Sequence, residues 1–287
     1  MSILITALAP AIGARVDGVS LAEPPDPAMV EVLEDALERH GVLLFPGQDI
    51  TPGQQVAFSR AFAELELTER IDARMGGHPE IFVVGNTGPK VVSFAAKNDP
   101  DDLEWHADHM HLPVPARASL LYAREVPGAG GDTLFTCMYA AYDSLEPEER
   151  KELEGLTALH SVSGLNDFLR TKGPNGAGGG RYGTPENLIV QWPLVRRHPR
   201  SGRKSLYFGS KVSIGIEGWP RDRAAALFER LSRNARRPEA VYRHRWSVGD
   251  AVLWDNRRVL HAATQYDVER QRRELHRTTW REDRPIA

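Results

Sequence analysis

Trp105-His106-Ala107-Asp108, followed by the run Ala118-Ser-Leu-Leu-Tyr-Ala123, reads as a strand lip leading into a buried strand. Alternation along an extended chain puts His106 and Asp108 on one face, which a single metal ion requires. The triplet is too short to carry meaning alone, so its distant partners decide the reading. Gly128-Ala-Gly-Gly-Asp-Thr133 is a tight turn entering a strand over 133–137, with a hydroxyl at its start. Trp246-Ser-Val-Gly-Asp250 turns into a second buried strand, Ala251-Val-Leu-Trp-Asp-Asn256, with His261 shortly beyond. Taken singly, each of these two segments reads equally well as a hairpin.

Outward from these strands, the N-terminal part gives short strands near 3–8 and 13–18, then a helix from Pro27 to His40 with Val30, Leu33 and Leu37 on one face and Gly41 as its stop. Thr51-Pro-Gly-Gln54 has the hydroxyl, proline and glutamine of a capped helix start, opening a helix through Phe62. Both helices are expected to buttress a sheet. From residue 80 onward short strands alternate with turns, interrupted by helical patterns at Met138–Gly155 and Trp219–Ala235. Short strands with few long crossovers predict a mainly β fold, a jelly-roll core buttressed by α-helices, as one domain over residues 1–287. The Gly-rich run Lys172-Gly-Pro-Asn-Gly-Ala-Gly-Gly-Gly180 lacks the strand-to-helix context of a phosphate loop. It reads as a loop within 164–187 that could close as a lid.

Two imidazoles and one carboxylate make the facial ligand set of non-haem Fe(II) oxygenases. His106, Asp108 and His261 supply those groups, leaving three octahedral positions for a bidentate co-substrate and dioxygen. A closed zinc site would leave none. With a net charge of −3 there is no electrostatic case for nucleic acid. The lone Cys137 excludes an intrachain disulfide framework and fits a reducing compartment. Met1–Arg15 lacks a basic segment before its apolar stretch, and no run approaches the length of a membrane span. The expectation is a cytoplasmic protein without membrane partner; homo-oligomerisation is left open.

The order His106-Xaa-Asp108, Thr133, His261, Arg273 resembles the taurine/2,4-dichlorophenoxyacetate dioxygenase family, the Fe(II)- and 2-oxoglutarate-dependent oxygenases. The resemblance extends through Gly41-Val-Leu-Leu-Phe-Pro-Gly-Gln48, Gln55-Val-Ala-Phe-Ser-Arg60, Trp192-Pro-Leu-Val-Arg196, His198-Pro-Arg-Ser-Gly-Arg-Lys204, Tyr242-Arg-His-Arg-Trp246 and Trp254-Asp-Asn-Arg257. From residue 190 onward it looks most like the aryloxyalkanoate branch. The resemblance implies a double-stranded β-helix with Fe(II) on His106, Asp108 and His261. It implies 2-oxoglutarate held by Thr133 and Arg273 and lined by Trp254 and Leu121, with O2 as oxidant and succinate and CO2 as co-products. Arg277 matches an arginine that meets an acidic group of the substrate. A strand over 273–279 would put Arg273 and Arg277 on one face, whereas a register error of one residue would exchange Arg273 with Arg272. The charges agree: Fe(II) with one carboxylate is singly positive, the 2-oxoglutarate dianion makes the site singly negative, and Arg273 restores neutrality.

The chain departs from the family at His109 and His111, where relatives carry small or apolar residues. His109 matches a substrate-contacting position, and its protonation near the ordinary value of about 6.5 would tune substrate choice. A His-rich zinc hydrolase is one alternative, which strand alternation opposes by turning His109 and His111 away from His106 and Asp108. A non-catalytic jelly-roll metal-binding protein is another. The substrate expected is a small organic carboxylate or sulfonate, either an aryloxyalkanoate whose ether is cleaved or a secondary-metabolite acid that is hydroxylated or desaturated.

Overall fold

The computed structural model describes residues 3–68, 70–87, 103–171 and 183–282. Strands β1 (Leu4–Ala7) and β2 (Ala14–Asp17) precede helix α1 (Pro27–His40). The Asp26 carboxylate accepts from the Met29 N–H at its start, and Gly41, at φ 72°, ends it by returning its N–H to the Leu37 carbonyl. After β3 (Val42–Phe45), α2 (Pro52–Arg60) opens on the expected capping box of Thr51 and Gln54 but stops short of Phe62. Next come β4 (Arg74–Met75), β5 (His78–Gly85), β6 (Ala116–Glu125) and β7 (Thr133–Cys137). The helical pattern at Met138–Gly155 is two helices, α3 (Met138–Asp143) and α4 (Pro147–Glu154). Pro147 restarts the helix because its ring has no N–H to continue the preceding turn and suits a first helical position.

Strand β8 (Thr157–His160) leads to α5 (Ser163–Thr171), so the beginning of the segment expected as loop is helical; Lys172–Gly180 lies outside the described residues. Then follow β9 (Val190–Pro193), β10 (Val195–Arg197), β11 (Lys204–Leu206), β12 (Ser213–Ile216), α6 (Arg221–Ala235), β13 (Val241–His244), β14 (Ala251–Asp255), β15 (Val259–Ala263) and β16 (Glu274–Arg281). Among the described residues no helix is long and apolar enough to cross a membrane.

Eight strands form one sheet in the order β1-β2-β3-β14-β6-β16-β5-β4, and β13-β7-β15 form a three-stranded sheet. Period-two alternation sorts the large sheet into two faces. Leu43, Phe45, Ala118, Leu120, Tyr122, Ala251, Leu253 and Trp280 pack with Leu33, Leu37, Val56 and Phe58 of α1 and α2. These two helices buttress the sheet, as expected. On the other face Val42, Leu44, Leu121, Val252, Trp254 and Leu275 meet Phe135, Cys137 and Val259 of the smaller sheet. This is the two-layer jelly roll the patterning predicts. Neither turn noted in the sequence makes a hairpin. The Gly128–Thr133 turn leaves β6 in the large sheet and enters β7 in the small one, and the Trp246–Asp250 turn joins β13 to β14 across the same gap.

At the end of β14 the fully buried Asp255 accepts from Arg257 Nε at 2.8 Å and its terminal nitrogen at 2.7 Å, and from His198 Nε2 at 2.8 Å. Burial would raise the Asp255 pKa, but Arg257 outweighs it and holds the carboxyl well below the usual range. Asp255→Asn leaves Arg257 buried without its counter-charge, and a loss of about 3–5 kcal/mol is expected in urea unfolding at neutral pH. Because the folded pKa is depressed, the charged form's contribution is complete above the unfolded value of about 3.9 and is lost as pH falls below it. The gap between wild type and variant should therefore narrow in acid; a gap independent of pH would contradict the ion pair.

Candidate active site

His106 does not lie in a regular strand. It makes an isolated bridge with His261 of β15, each backbone N–H donating to the other's carbonyl at 3.0 and 2.8 Å, so the two imidazole centroids stand 4.2 Å apart. The chain then turns at Asp108. The strand alternation expected for His106 and Asp108 is thus replaced by a backbone bridge plus a turn, and this geometry still converges. One ligand atom from each of His106, Asp108 and His261 lies within 4.8 Å of the others. His106 Nδ1 sits 2.9 Å from the Glu104 carbonyl and must donate to it, which makes Nε2 the lone-pair nitrogen facing Asp108 Oδ1 at 3.9 Å.

Burial would raise the Asp108 pKa, yet the Arg277 guanidinium, which donates to Oδ1, helped by the two imidazoles, holds this carboxyl well below the usual carboxylate range. Burial, with His106 beside it, pushes His261 well below the ordinary histidine value. An anionic oxygen and a neutral nitrogen are the protonation states a metal ligand needs.

His109 follows in the left-handed region at φ 58°, alone among the described non-glycine residues. Burial, and then Arg277, push it down to about 4, so the titration expected near neutrality does not occur there. Burial likewise takes His111 to about 3. Since both residues lie in a turn, strand alternation does not separate them from the triad. Distance does, because His106, Asp108 and His261 are the only His, Cys, Asp or Glu group among the described residues that comes together in this way.

A cavity opens from the triad, lined by Val84, His106, Leu121, Thr133, Trp254, His261, Ala263, Thr264, Tyr266, Arg273 and Arg277. Leu121 and Arg277 are register partners across β6 and β16, which is why they reach it together. Arg273, just before β16, is buried, with Nε donating to the Gly131 carbonyl at 3.2 Å. It forms no ion pair with any described residue, and burial lowers it to about 10 against the opposing effects of Tyr266 and Asp132. Two glycines make room for it. A Cβ on Gly85 would stand 1.8 Å from the Arg273 carbonyl oxygen, and one on Gly131, at φ 69°, would meet Pro127 at 2.8 Å. Arg272 points outward and pairs with Glu125 at 2.9 and 3.0 Å, so the arginine in the cavity is Arg273. Thr133 Oγ1 accepts from Trp246 Nε1 at 3.0 Å.

Among the residues of this site that the sequence reading missed, three polar ones stand out. Tyr266 lines the cavity with a buried hydroxyl that has no partner among the described residues. Ser119 and Asn256 contact Asp108 directly. Asn256 stood in the quoted Trp254-Asp-Asn-Arg257 motif, but no local pattern ties it to residue 108.

The profile of the family described as "Taurine catabolism dioxygenase TauD, TfdA family" matches residues 4–279. The chain belongs to the TauD/TfdA family. A similar relative is the alpha-ketoglutarate-dependent 2,4-dichlorophenoxyacetate dioxygenase of Cupriavidus pinatubonensis, 37% identical over 99% of each chain. The (S)-phenoxypropionate/alpha-ketoglutarate-dioxygenase of Sphingobium herbicidovorans is 36% identical over 91% of this chain and 88% of that one. Among solved structures, AAD-2 in complex with Mn(II) and N-oxalylglycine superposes with a TM-score of 0.82 at 32% identity over the whole of both chains. TauD/TfdA membership makes this chain an iron- and 2-oxoglutarate-dependent dioxygenase, which sets aside the zinc hydrolase and the non-catalytic metal-binding protein. The residues fit such a cofactor set: three convergent donors, and beside them a buried cation without an ion pair among the described residues.

Proposed function

We propose that this TauD/TfdA enzyme hydroxylates a small organic acid of the aryloxyalkanoate type, forming succinate and CO2 from 2-oxoglutarate. His106, Asp108 and His261 hold Fe(II). Arg273 and Thr133 hold the distal carboxylate of 2-oxoglutarate, whose chain runs along Leu121 and Trp254. The observation that carries this assignment is Arg273, a buried guanidinium without an ion pair among the described residues, in the cavity lined by His106 and His261 of the triad. Its planar fork suits a carboxylate, and a carboxylate removes the cost of burying it.

Bound iron with dioxygen and 2-oxoglutarate supplies the oxidising power; the protein positions the groups. Arg277 serves the substrate. Its guanidinium pairs with Asp108 and lies 4.8 Å from the Phe82 ring, and its buried Nε has no partner among the described residues, so it can still donate to an acid group. His109 Nδ1 is likewise buried and unpartnered among the described residues, beside Asp108 and Arg277, and is assigned to a polar group of the substrate. Oxidation at a carbon bearing an ether oxygen gives a hemiacetal, which collapses and cleaves the ether.

The test is succinate formation with Fe(II), ascorbate and 2-oxoglutarate across aryloxyalkanoates, aliphatic sulfonates and the methyl esters of the same acids. The acids should stimulate succinate release and the esters should not, because an ester offers the buried Arg277 Nε no anionic acceptor. Equal stimulation by acid and ester would refute the role of Arg277. For His109→Val the expected result is a changed ranking of substrates with no new pH dependence between about pH 5.5 and 8, since a group at about 4 is neutral throughout that range. An unchanged ranking would remove His109 from substrate selection.

A further inference from the structure

Asp108 is held by a hydrogen-bond chain whose proton directions are forced. Asn256 Oδ1 accepts from the Asp108 backbone N–H at 3.0 Å and from Trp254 Nε1 at 2.9 Å. Two donors on one atom identify it as the amide oxygen, so Nδ2 is the atom that donates to Ser119 Oγ at 3.0 Å. Ser119 has one proton, and among the described residues it goes to Asp108 Oδ2, at 2.6 Å. That distance suits a hydroxyl donating to an anionic oxygen. Ser119 is fully buried, and Asn256, Trp254 and Asp108 are nearly so, which keeps water from competing for these groups. Ser119 belongs to β6 and Asn256 directly follows β14; these strands are paired in the large sheet, so the hydrogen-bond chain is anchored on two neighbouring strands.

The consequence for the carboxylate is asymmetry. Oδ2 is taken by the Ser119 hydroxyl, whereas Oδ1, which also accepts from Arg277, is the oxygen turned toward His106 Nε2. A carboxylate that closed both oxygens onto a metal would fill a further coordination position, one that a bidentate co-substrate and dioxygen need. We propose that Asn256 and Ser119 are positioning residues that hold Asp108 as a one-oxygen ligand, Asn256 setting the direction of the Ser119 proton and Ser119 occupying Oδ2. This inference rests on the metal reading of His106, Asp108 and His261.

Mn(II) binding to the full-length protein, followed by electron paramagnetic resonance titration without turnover, separates the two readings. Wild type should bind one Mn(II), and His261→Ala should bind far more weakly. Ser119→Ala and Asn256→Ala should each raise the Mn(II) Kd by about 10- to 100-fold, the usual effect of removing a partner that orients a ligand. Because Asn256 acts partly through Ser119, the loss in the double variant should be smaller than the sum of the two single losses. A merely structural role would lower the melting temperature and leave the Mn(II) Kd unmoved. Ser119→Ala removes a single oxygen, so it carries the test even if Asn256→Ala does not fold. Equal Mn(II) affinity in wild type and Ser119→Ala would overturn the relay alone, as would additive losses in the double variant. A wild type that binds no Mn(II), or binds it equally well without His261, would overturn the metal reading as well.

Discussion

Alanine at His106, Asp108 or His261 is expected to reduce succinate formation by at least about 100-fold, the upper end of what is lost when only a ligand's supporting partner is removed. The three variants should nevertheless differ in stability. His261→Ala removes a neutral, buried ring, and the backbone bridge between residues 106 and 261 survives because it uses main-chain groups alone. Asp108→Ala strips Arg277 of its buried counter-ion and the Ser119 hydroxyl of its acceptor, so this variant should lose about 3–5 kcal/mol in addition to its activity. Succinate assays beside urea unfolding of the metal-free proteins check both parts. Undiminished succinate release in any one variant would remove that residue from the metal site.

The second large effect is expected at Arg273. Arg273→Lys should weaken 2-oxoglutarate binding by about 2–5 kcal/mol, roughly 30- to 4,000-fold in Kd, because a point charge on a flexible stem replaces a rigid fork against a buried carboxylate. Arg272→Ala should change that affinity little, since its side chain is exposed and pairs with Glu125, away from the cavity. An opposite sign is expected for stability without ligand. Wild type buries the Arg273 guanidinium without an ion pair among the described residues, so Arg273→Met should melt no lower than wild type when 2-oxoglutarate is absent. Added 2-oxoglutarate should then raise the melting temperature of wild type and not of Arg273→Met. A large loss of 2-oxoglutarate affinity in Arg272→Ala, with none in Arg273→Lys, would show that the wrong arginine has been assigned.

Stated by residue, the legible parts of this chain are those governed by neighbours in sequence. The Asp26 and Thr51 caps, the Gly41 stop and the two faces of β6 and β14 follow from local chemistry and period-two patterning. The hairpin reading that Gly128–Thr133 and Trp246–Asp250 each left open fails because a turn states that the chain reverses and does not state which sheet receives the next strand. The joint helical reading at Met138–Gly155 fails at Pro147, whose ring opens a second helix.

By itself, then, the sequence determined which residue types this site has available and in what order, two histidines, an aspartate, a threonine and an arginine, set among strands whose apolar alternation requires two packed sheets. Only the tertiary structure decided how those groups are presented. It put Asp108 on a turn and not on a strand, chose Arg273 over Arg272, made His109 a neutral group at positive φ, and closed Ser119 and Asn256 around the Asp108 carboxylate. The physical reason is range. Capping and alternation act within a few residues and leave a local pattern, whereas a buried charge takes its pKa, its orientation and its partners from side chains on strands that only folding brings together.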